Sequence, residues 1–238
     1  LALSGAKVRK NFQTFFIQTM IIYATTFNRI NFSQMGRLSS SGEQRYRQNF
    51  EKDFDWIAFN RQFLSILPLR RFAIAIDPTY ISKSGKHTPG LAYFWSGAAG
   101  MARRGLETLG FAVVDADGKD AVALCARQTF SGKVSKGRRP GCLKCCKGNN
   151  SLYEQYLRAI YGDRDKFRQI CRLFVADSYF SVYPFVQGLT SMGFDLVSRL
   201  HDNASLRYLY EGERTGKRGR PVKYGGKVDV RNLDESVF

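Results

Sequence analysis

The stretch RFAIAID, from Arg71 to Asp77, is a short apolar run that ends in a carboxylate. A second run of the same kind, LFVAD, spans Leu173 to Asp177. Short runs rich in apolar and β-branched residues predict buried strands, so each aspartate is expected at the carboxyl end of a strand. The organisation of the chain between the two runs decides whether their carboxylates meet.

Two further strands are predicted between these runs, LGFAVVD at Leu109–Asp115 and AVALCARQTF at Ala121–Phe130. The link DADG, with Asp115 and Asp117, is ordinary hairpin-turn chemistry, and we assign both aspartates to the turn. Helical periodicity runs from Leu152 to Ile170 and again from Val182 to Leu189, and FDLVSRL (Phe194–Leu200) predicts a last strand.

The resulting order, β-β-β-α-β-α-β, is typical of an α/β protein with an RNase H-like mixed sheet. In that topology the first strand and the strand after the first helix are neighbours, which would bring Asp77 and Asp177 together. Residues 78–108 are long for a hairpin link and are expected to carry structure of their own. Residues 1–68 have the apolar spacing of helices. We therefore predict a helical domain (1–68), an RNase H-like domain (69–205) and a basic C-terminal segment (206–238).

The charge balance points to a polyanionic partner. The 238 residues include 37 Lys and Arg against 20 Asp and Glu, a net charge of +17, and 44% are hydrophobic. This composition is that of a folded chain rather than a disordered basic tail, and it is too basic for an ordinary metabolic enzyme. The most apolar stretch, Asn11–Phe27, is too short and too polar to span a bilayer. Nucleic acid is the expected partner, with no membrane involved.

Asp77 and Asp177 are the candidate catalytic and metal-binding residues. Two adjacent carboxylates repel one another unless a divalent cation bridges them, and hard oxygen ligands suit Mg²⁺ or Mn²⁺. Such a site is suited to phosphoryl transfer. The alternative is that each aspartate only starts a turn or caps a helix, as Asp177 could do before Ser178.

A helix-turn-helix-like segment is predicted at residues 31–52, with SSSG (Ser39–Gly42) as its turn. Ser41 and Gln44 are expected to form a capping box for the second helix. One face of that helix would carry donors for phosphates and base edges. The predicted DNA-binding residues of this face are Arg45, Gln48, Asn49 and Lys52. An ordinary solvated helix face has the same pattern.

Two basic segments add candidate phosphate contacts. The loop 132–150 contains Lys133, Lys136, Arg138 and Arg139, and the KRGRP segment contains Arg218 and Arg220, with Lys223 shortly after it. Either segment could instead be a solvated linker. Cys142, Cys145 and Cys146 have no second ligand pair, so zinc is a weak alternative.

Several motifs together resemble a known family. They are, in this order, IDPTYISKSG, FWSG, GLETLGFAVVDADG, ARQTF, VADSYFS and KRGRPVKYGGKVD, and the resemblance covers residues 31–229. This series is similar to the DDE transposases of bacterial insertion sequences. The resemblance implies that Asp77 and Asp177 are the first two acids of the catalytic triad, which hold the metal ions that cut DNA and join its 3′ end to a new site. It further implies double-stranded DNA as partner, a homo-oligomer on DNA, and a cytoplasmic, nucleoid-associated bacterial protein.

The chain departs from this family at the third acid. That residue is a Glu on a later helix, in a run of Tyr, Arg, Glu and Lys that does not occur before Phe238. We therefore interpret the chain as a C-terminally truncated copy. A non-catalytic remnant that binds DNA and competes with an intact transposase is the alternative function. A haloacid-dehalogenase-like phosphatase is a distant third, because Thr79 stands where its second Asp would be.

Overall fold

The computed structural model describes residues 8–27, 29–66, 71–85, 87–130, 151–201, 204–213, 219 and 221–229. It divides into two compact units, Leu1–Ser198 and Arg199–Phe238. The first unit contains both the N-terminal helices and the large sheet. The boundaries expected at residues 68 and 205 remain predictions.

The N-terminal part is helical, as the apolar spacing predicted. A small core of Phe15, Ile22, Met35 and Tyr46 holds the first three helices together. The helices are α1 (Lys10–Thr25), α2 (Phe32–Arg37), α3 (Glu43–Phe50) and α4 (Trp56–Asn60), followed by a 3-10 helix (Arg61–Ile66). Among the described residues, no helix is both long enough and apolar enough to cross a bilayer.

The capping box lies on a different helix from the one predicted. Asn31 and Gln34 form it at the start of α2, where each side chain bonds the other residue's backbone N–H. The prediction for Ser41 is wrong, because Gly42 is the N-cap of α3 and makes no side-chain cap bond. The Ser41 hydroxyl instead accepts a hydrogen bond from Arg45 at 3.1 Å.

The large sheet has the predicted RNase H-like topology with one additional strand. Its strands are β1 (Phe72–Ser82), β2 (Ala92–Ser96), β3 (Met101–Asp115), β4 (Ala121–Thr129), β5 (Leu173–Ala176) and β6 (Asp195–Ser198). Their order is β2-β3-β1-β5-β6, with β4 also paired to β3. β1 is antiparallel to β3 and parallel to β5, so the first strand and the strand after the helices are neighbours, as expected.

The long link between the first two predicted strands is mostly strand. β1 continues to Ser82, β2 follows, and β3 begins at Met101, with a short 3-10 turn (Gly97–Ala99) before it. Asp77 therefore lies inside β1 and not at its end, which corrects the prediction. Pro78 is tolerated there because β5 pairs with β1 only at Ile74 and Ala75, which leaves the N–H side of that part of β1 without a ladder to disrupt.

The main core lies between one face of the sheet and three helices. These are α5 (Leu152–Gly162), α6 (Arg164–Arg168) and α7 (Tyr183–Ser191). Alternate residues of β3 from Gly105 to Asp115 are buried, so that strand turns every second side chain towards this core. The fully buried aromatic members of the core are Tyr156, Phe167, Phe174, Phe180, Phe185 and Phe194.

The DADG segment forms the predicted turn. The Asp115 side chain accepts a hydrogen bond from the Asp117 amide, and Asp117 pairs with Arg71. In the second unit, β7 (Arg207–Leu209) pairs antiparallel with β8 (Tyr224–Lys227).

Candidate active site

The register of the sheet brings Asp77 level with Asp177. In the parallel pair of β1 and β5, Ile74 lies beside Phe174 and Ala75 beside Val175. Two residues further along both strands stand Asp77 and Asp177. Adjacent strands are about 4.8 Å apart, and register partners in a sheet project to the same face. The two carboxylates are therefore neighbours at the carboxyl end of β5.

They project to the face of the sheet opposite the main core. We call this surface the carboxylate face. On β1 it carries Ala75, Asp77, Thr79 and Ile81, because side chains alternate along a strand and Ile74 and Ile76 are buried in the core. On β3 it carries the even-numbered residues, since Asp77 pairs with Gly110 and Thr79 with Thr108.

Local hydrogen bonds fix the backbone at Asp177. The residue caps a 3-10 helix (Ser178–Phe180), and its Oδ1 accepts from the Tyr179 amide at 3.2 Å. The Ser198 hydroxyl on β6 donates to the Asp177 carbonyl oxygen at 2.6 Å. Asp177 is thus a helix cap, as the alternative interpretation required, and it also faces a second carboxylate.

The electrostatics of the pair favour a cation. Partial burial and then the negative charge of Asp177 raise the pKa of Asp77. Both residues are nonetheless exposed to solvent, so an ion could reach them. Two neighbouring like charges and a set of carboxylate oxygens fit a divalent cation such as Mg²⁺ or Mn²⁺.

The described residues provide this pair but no larger cluster. Nowhere in the described part of the chain do three or more His, Cys, Asp or Glu side chains group in a way that could hold a metal ion. The pair is therefore the metal-binding candidate that these residues offer.

A solvent-open depression of about 510 Å³ adjoins Asp77 on the carboxylate face. Many of the residues that line it are small, including Ala75, Gly110, Ala112 and Ala123, and Trp56 and Asn60 also line it. Small side chains leave room for a bulky ligand to approach the Asp77 carboxylate.

The predicted DNA-binding residues of α3 are only partly on one exposed face. Arg45 and Gln48 are exposed, whereas Asn49 is half-buried and bonds back to the Arg45 carbonyl. α3 ends at Phe50, so Lys52 follows the helix instead of extending its face, and its ammonium bonds Asn49 at 2.8 Å.

Most residues of the predicted basic segments lie outside the described residues. These are Lys133, Lys136, Arg138, Arg139, Arg218 and Arg220, together with Cys142, Cys145 and Cys146. Lys223 is described and is exposed beside β8.

The sequence did not reveal an arginine-lined groove of about 550 Å³ between α5, α6 and α7. Arg158, Arg164 and Arg168 line it, and the Arg164 guanidinium stacks over Tyr161 at 4.3 Å from the ring centre. Asp163 lies between α5, which carries Arg158, and α6, which carries Arg164 and Arg168, so no single helical period relates all three arginines. Only the i, i+4 spacing of Arg164 and Arg168 signalled a shared face.

The fold places the chain among RNase H-like α/β proteins. Residues 35–236 match the family model described as DDE superfamily endonuclease, and the chain belongs to this family. This result confirms the DDE assignment drawn from the sequence motifs.

A structural comparison found similarity to a piggyBac transposase, in a cryo-EM structure of its synaptic complex with hairpin DNA. The identity is 14% and the TM-score 0.41 over 83% of this chain, which spans 43% of that transposase chain. A comparison with curated proteins found no match.

Proposed function

We propose that this chain is a DDE transposase that cuts DNA strands and joins the resulting 3′ ends to new sites with the help of Mg²⁺ or Mn²⁺. The observation that carries the proposal is the in-register pair of Asp77 and Asp177, whose charges act on each other. Membership of the DDE superfamily endonuclease family supports the cleavage step. Strand joining is an extension from the sequence resemblance.

In this proposal Asp77 and Asp177 hold the metal. A bound divalent ion would activate the attacking oxygen and neutralise charge on the phosphate. The residues of the chain supply the geometry. The Tyr179 amide holds one carboxylate oxygen of Asp177, and the Ser198 hydroxyl holds its backbone carbonyl. The strand β1 places Asp77 beside it.

DNA is the proposed substrate, both as transposon end and as target. A net charge of +17 supports binding to phosphates. Arg45 and Gln48 on α3, and the basic segments that include Lys133 and Arg218, are the proposed contacts. We further propose that the protein acts as a homo-oligomer on DNA, at the bacterial nucleoid in the cytoplasm.

The test is nicking of supercoiled DNA in the presence of Mg²⁺ or Mn²⁺. We expect Asp77→Asn and Asp177→Asn each to abolish nicking while leaving DNA affinity within about twofold, because these side chains serve the metal and not the phosphates. Asp195→Asn is the matched control, since Asp195 is an exposed aspartate at the opposite end of β6. Nicking that survives either substitution would refute the site.

The alternative function is a non-catalytic DNA-binding protein that competes with an intact transposase. Salt-sensitive binding without metal-dependent nicking, by the chain and by a version extended through its downstream reading frame, would favour it. Nicking by the extended version alone would support the truncated-transposase interpretation.

A further inference from the structure

Two aromatic rings on β2 are exposed to solvent. Tyr93 is 72% exposed and Trp95 is 66% exposed, whereas Phe94 between them is buried. Alternation along the strand therefore places both rings on one side, separated by about 7 Å of strand. Exposing large aromatic rings to water is unfavourable in free energy, and a partner that stacks on the rings would remove this cost.

The two rings lie on the carboxylate face. β2 pairs with β3 so that Tyr93 stands opposite Arg104 and Trp95 opposite Ala102. Those even-numbered residues of β3 share the face of Gly110, the partner of Asp77. One continuous sheet surface therefore runs from the carboxylate pair to the two rings.

Positive charge accompanies the rings. Arg104 lies directly across from Tyr93, and its guanidinium bonds the Gly85 carbonyl at 3.2 Å, which holds it near this end of the sheet. The backbone beneath is also tied, because the Tyr80 hydroxyl donates to the Arg104 carbonyl at 2.8 Å. A cation next to exposed rings is the pattern of surfaces that bind single-stranded nucleic acid.

The separation between the two sites fits a short piece of DNA. Along β3, Arg104 stands six residues from Gly110, or about 20 Å at 3.4 Å per residue. A stacked nucleic-acid strand rises about 3.4 Å per nucleotide. About six nucleotides would therefore reach from the carboxylate pair to Tyr93.

We propose that Tyr93 and Trp95 form a stacking platform for unpaired DNA bases that lie about six nucleotides from the phosphodiester bond that is cut. This inference rests on the proposed function, because only DNA handled at the carboxylate pair would extend along this face. Single-stranded DNA is the partner that fits, since bases inside a duplex are already stacked and their faces are not available to a protein ring.

The experiment compares two fluorescent DNAs in a chelating buffer, in which no cleavage occurs. One is a blunt duplex and the other is the same duplex with a single-stranded tail of about six nucleotides. We expect Tyr93→Ala and Trp95→Ala each to weaken binding of the tailed DNA by about 5- to 150-fold and to leave the blunt duplex unchanged. Trp95→Phe keeps a ring and should retain most of the affinity.

Tyr161→Ala is the matched control, because Tyr161 is also exposed but lies on α5, across the sheet from the platform. It should change binding of both DNAs by the same factor. In the wild type the tailed DNA should quench tryptophan fluorescence more than the blunt duplex does, and Trp95→Phe should remove that difference, since Trp56 beside Asp77 would respond to both DNAs. Unchanged affinity for the tailed DNA, or an equal loss on both DNAs, would overturn the platform and leave a protein partner as the explanation of the exposed rings.

The nicking assay separates this inference from the proposed function. If the wild type nicks DNA but the platform variants bind the tailed DNA normally, the platform alone is refuted. If tail binding depends on the rings but neither the chain nor its extended version nicks DNA in the presence of metal, the platform stands and the catalytic proposal fails.

Discussion

Asp77 and Asp177 interact unfavourably in the metal-free protein. They stand side by side on parallel strands, and partial burial, followed by the negative charge of Asp177, raises the pKa of Asp77. A folded-state pKa above the unfolded one means that the ionised group destabilises the fold at higher pH. The candidate site thus has a measurable energetic cost before any ligand binds.

Asp77→Asn should therefore make the metal-free protein more stable at neutral pH. The gain should be less than about 1 kcal/mol, because the pair is exposed and partly screened by solvent. The cost applies above the folded pKa of Asp77, so the gain should disappear as the pH falls through that value. Urea unfolding at pH 7 and at about pH 3 measures both effects.

Asp195→Asn should leave the stability unchanged at both pH values, because Asp195 stands at the other end of the sheet. An Asp77→Asn protein that is less stable than the wild type at pH 7 would contradict the energetic cost assigned to ionised Asp77.

At the scale of elements, Gly105 permits β1 and β3 to approach closely. A Cβ at this position would lie 2.5 Å from the Ile81 carbonyl oxygen and would also meet the Tyr80 ring. Backbone cannot yield as a flexible side chain can. We expect Gly105→Ala to lower the free energy of unfolding by about 1–3 kcal/mol.

The control for Gly105 is Gly97→Ala, where an added Cβ meets nothing within 4 Å. Thermal unfolding compares the two variants directly. Equal melting temperatures would mean that the β1 and β3 strands are not held as closely as the structure shows.

Asp55 connects the N-terminal helices to the helices that pack against the sheet. It caps α4 by accepting from the Ala58 amide at 3.1 Å, and it pairs with Lys166 of α6 at 2.9 Å. Partial burial alone would raise its pKa, but the hydrogen bonds from Lys166 and Ala58 outweigh burial and lower the pKa of Asp55. Its contribution to stability is therefore present at neutral pH and is lost as the pH falls through the lowered value.

Asp55→Asn should cost up to about 1 kcal/mol at pH 7, since Asn can still cap the helix but cannot form the ion pair. The difference from the wild type should vanish in acid. Asp53→Asn, two residues earlier and exposed, is the control and should have no effect. A pH-independent effect of Asp55→Asn in urea unfolding would contradict the assigned ion pair.

The sequence predicted the elements whose patterns are regular. The strand Leu173–Ala176 and the second half of β3 were predicted from their hydrophobic patterns. These strands led to the strand order that pairs Asp77 with Asp177. β2 and the end of β1 were missed because Pro78 resembles a strand end and because Tyr93 and Trp95 alternate with buried residues over only five positions. The capping box was misplaced because Asn31 and Ser41 both precede a Gln by three residues, and only packing distinguishes them.

For the molecule as a whole, the proposed DNA binding depends on the net charge of +17 more than on any single contact. Each neutralised phosphate contributes a slope of about −0.9 to the plot of log K against log salt. We expect the affinity for duplex DNA to fall by about a hundredfold or more between about 50 and 200 mM salt. Fluorescence anisotropy titrations at several salt concentrations measure this fall in affinity.

Asp77→Asn should show the same slope of log K against log salt as the wild type, because we propose that Asp77 binds the metal and not the phosphates. A flat salt response of the wild type would contradict the electrostatic basis of DNA binding.

We propose that Asp77 and Asp177 together hold a divalent cation, which Mn²⁺ binding followed by electron paramagnetic resonance can detect. We predict a bound Mn²⁺ that is lost in Asp77→Asn and in Asp177→Asn and is retained in Asp195→Asn. Mn²⁺ binding that is unchanged in both variants, or absent from the wild type, would contradict the claim.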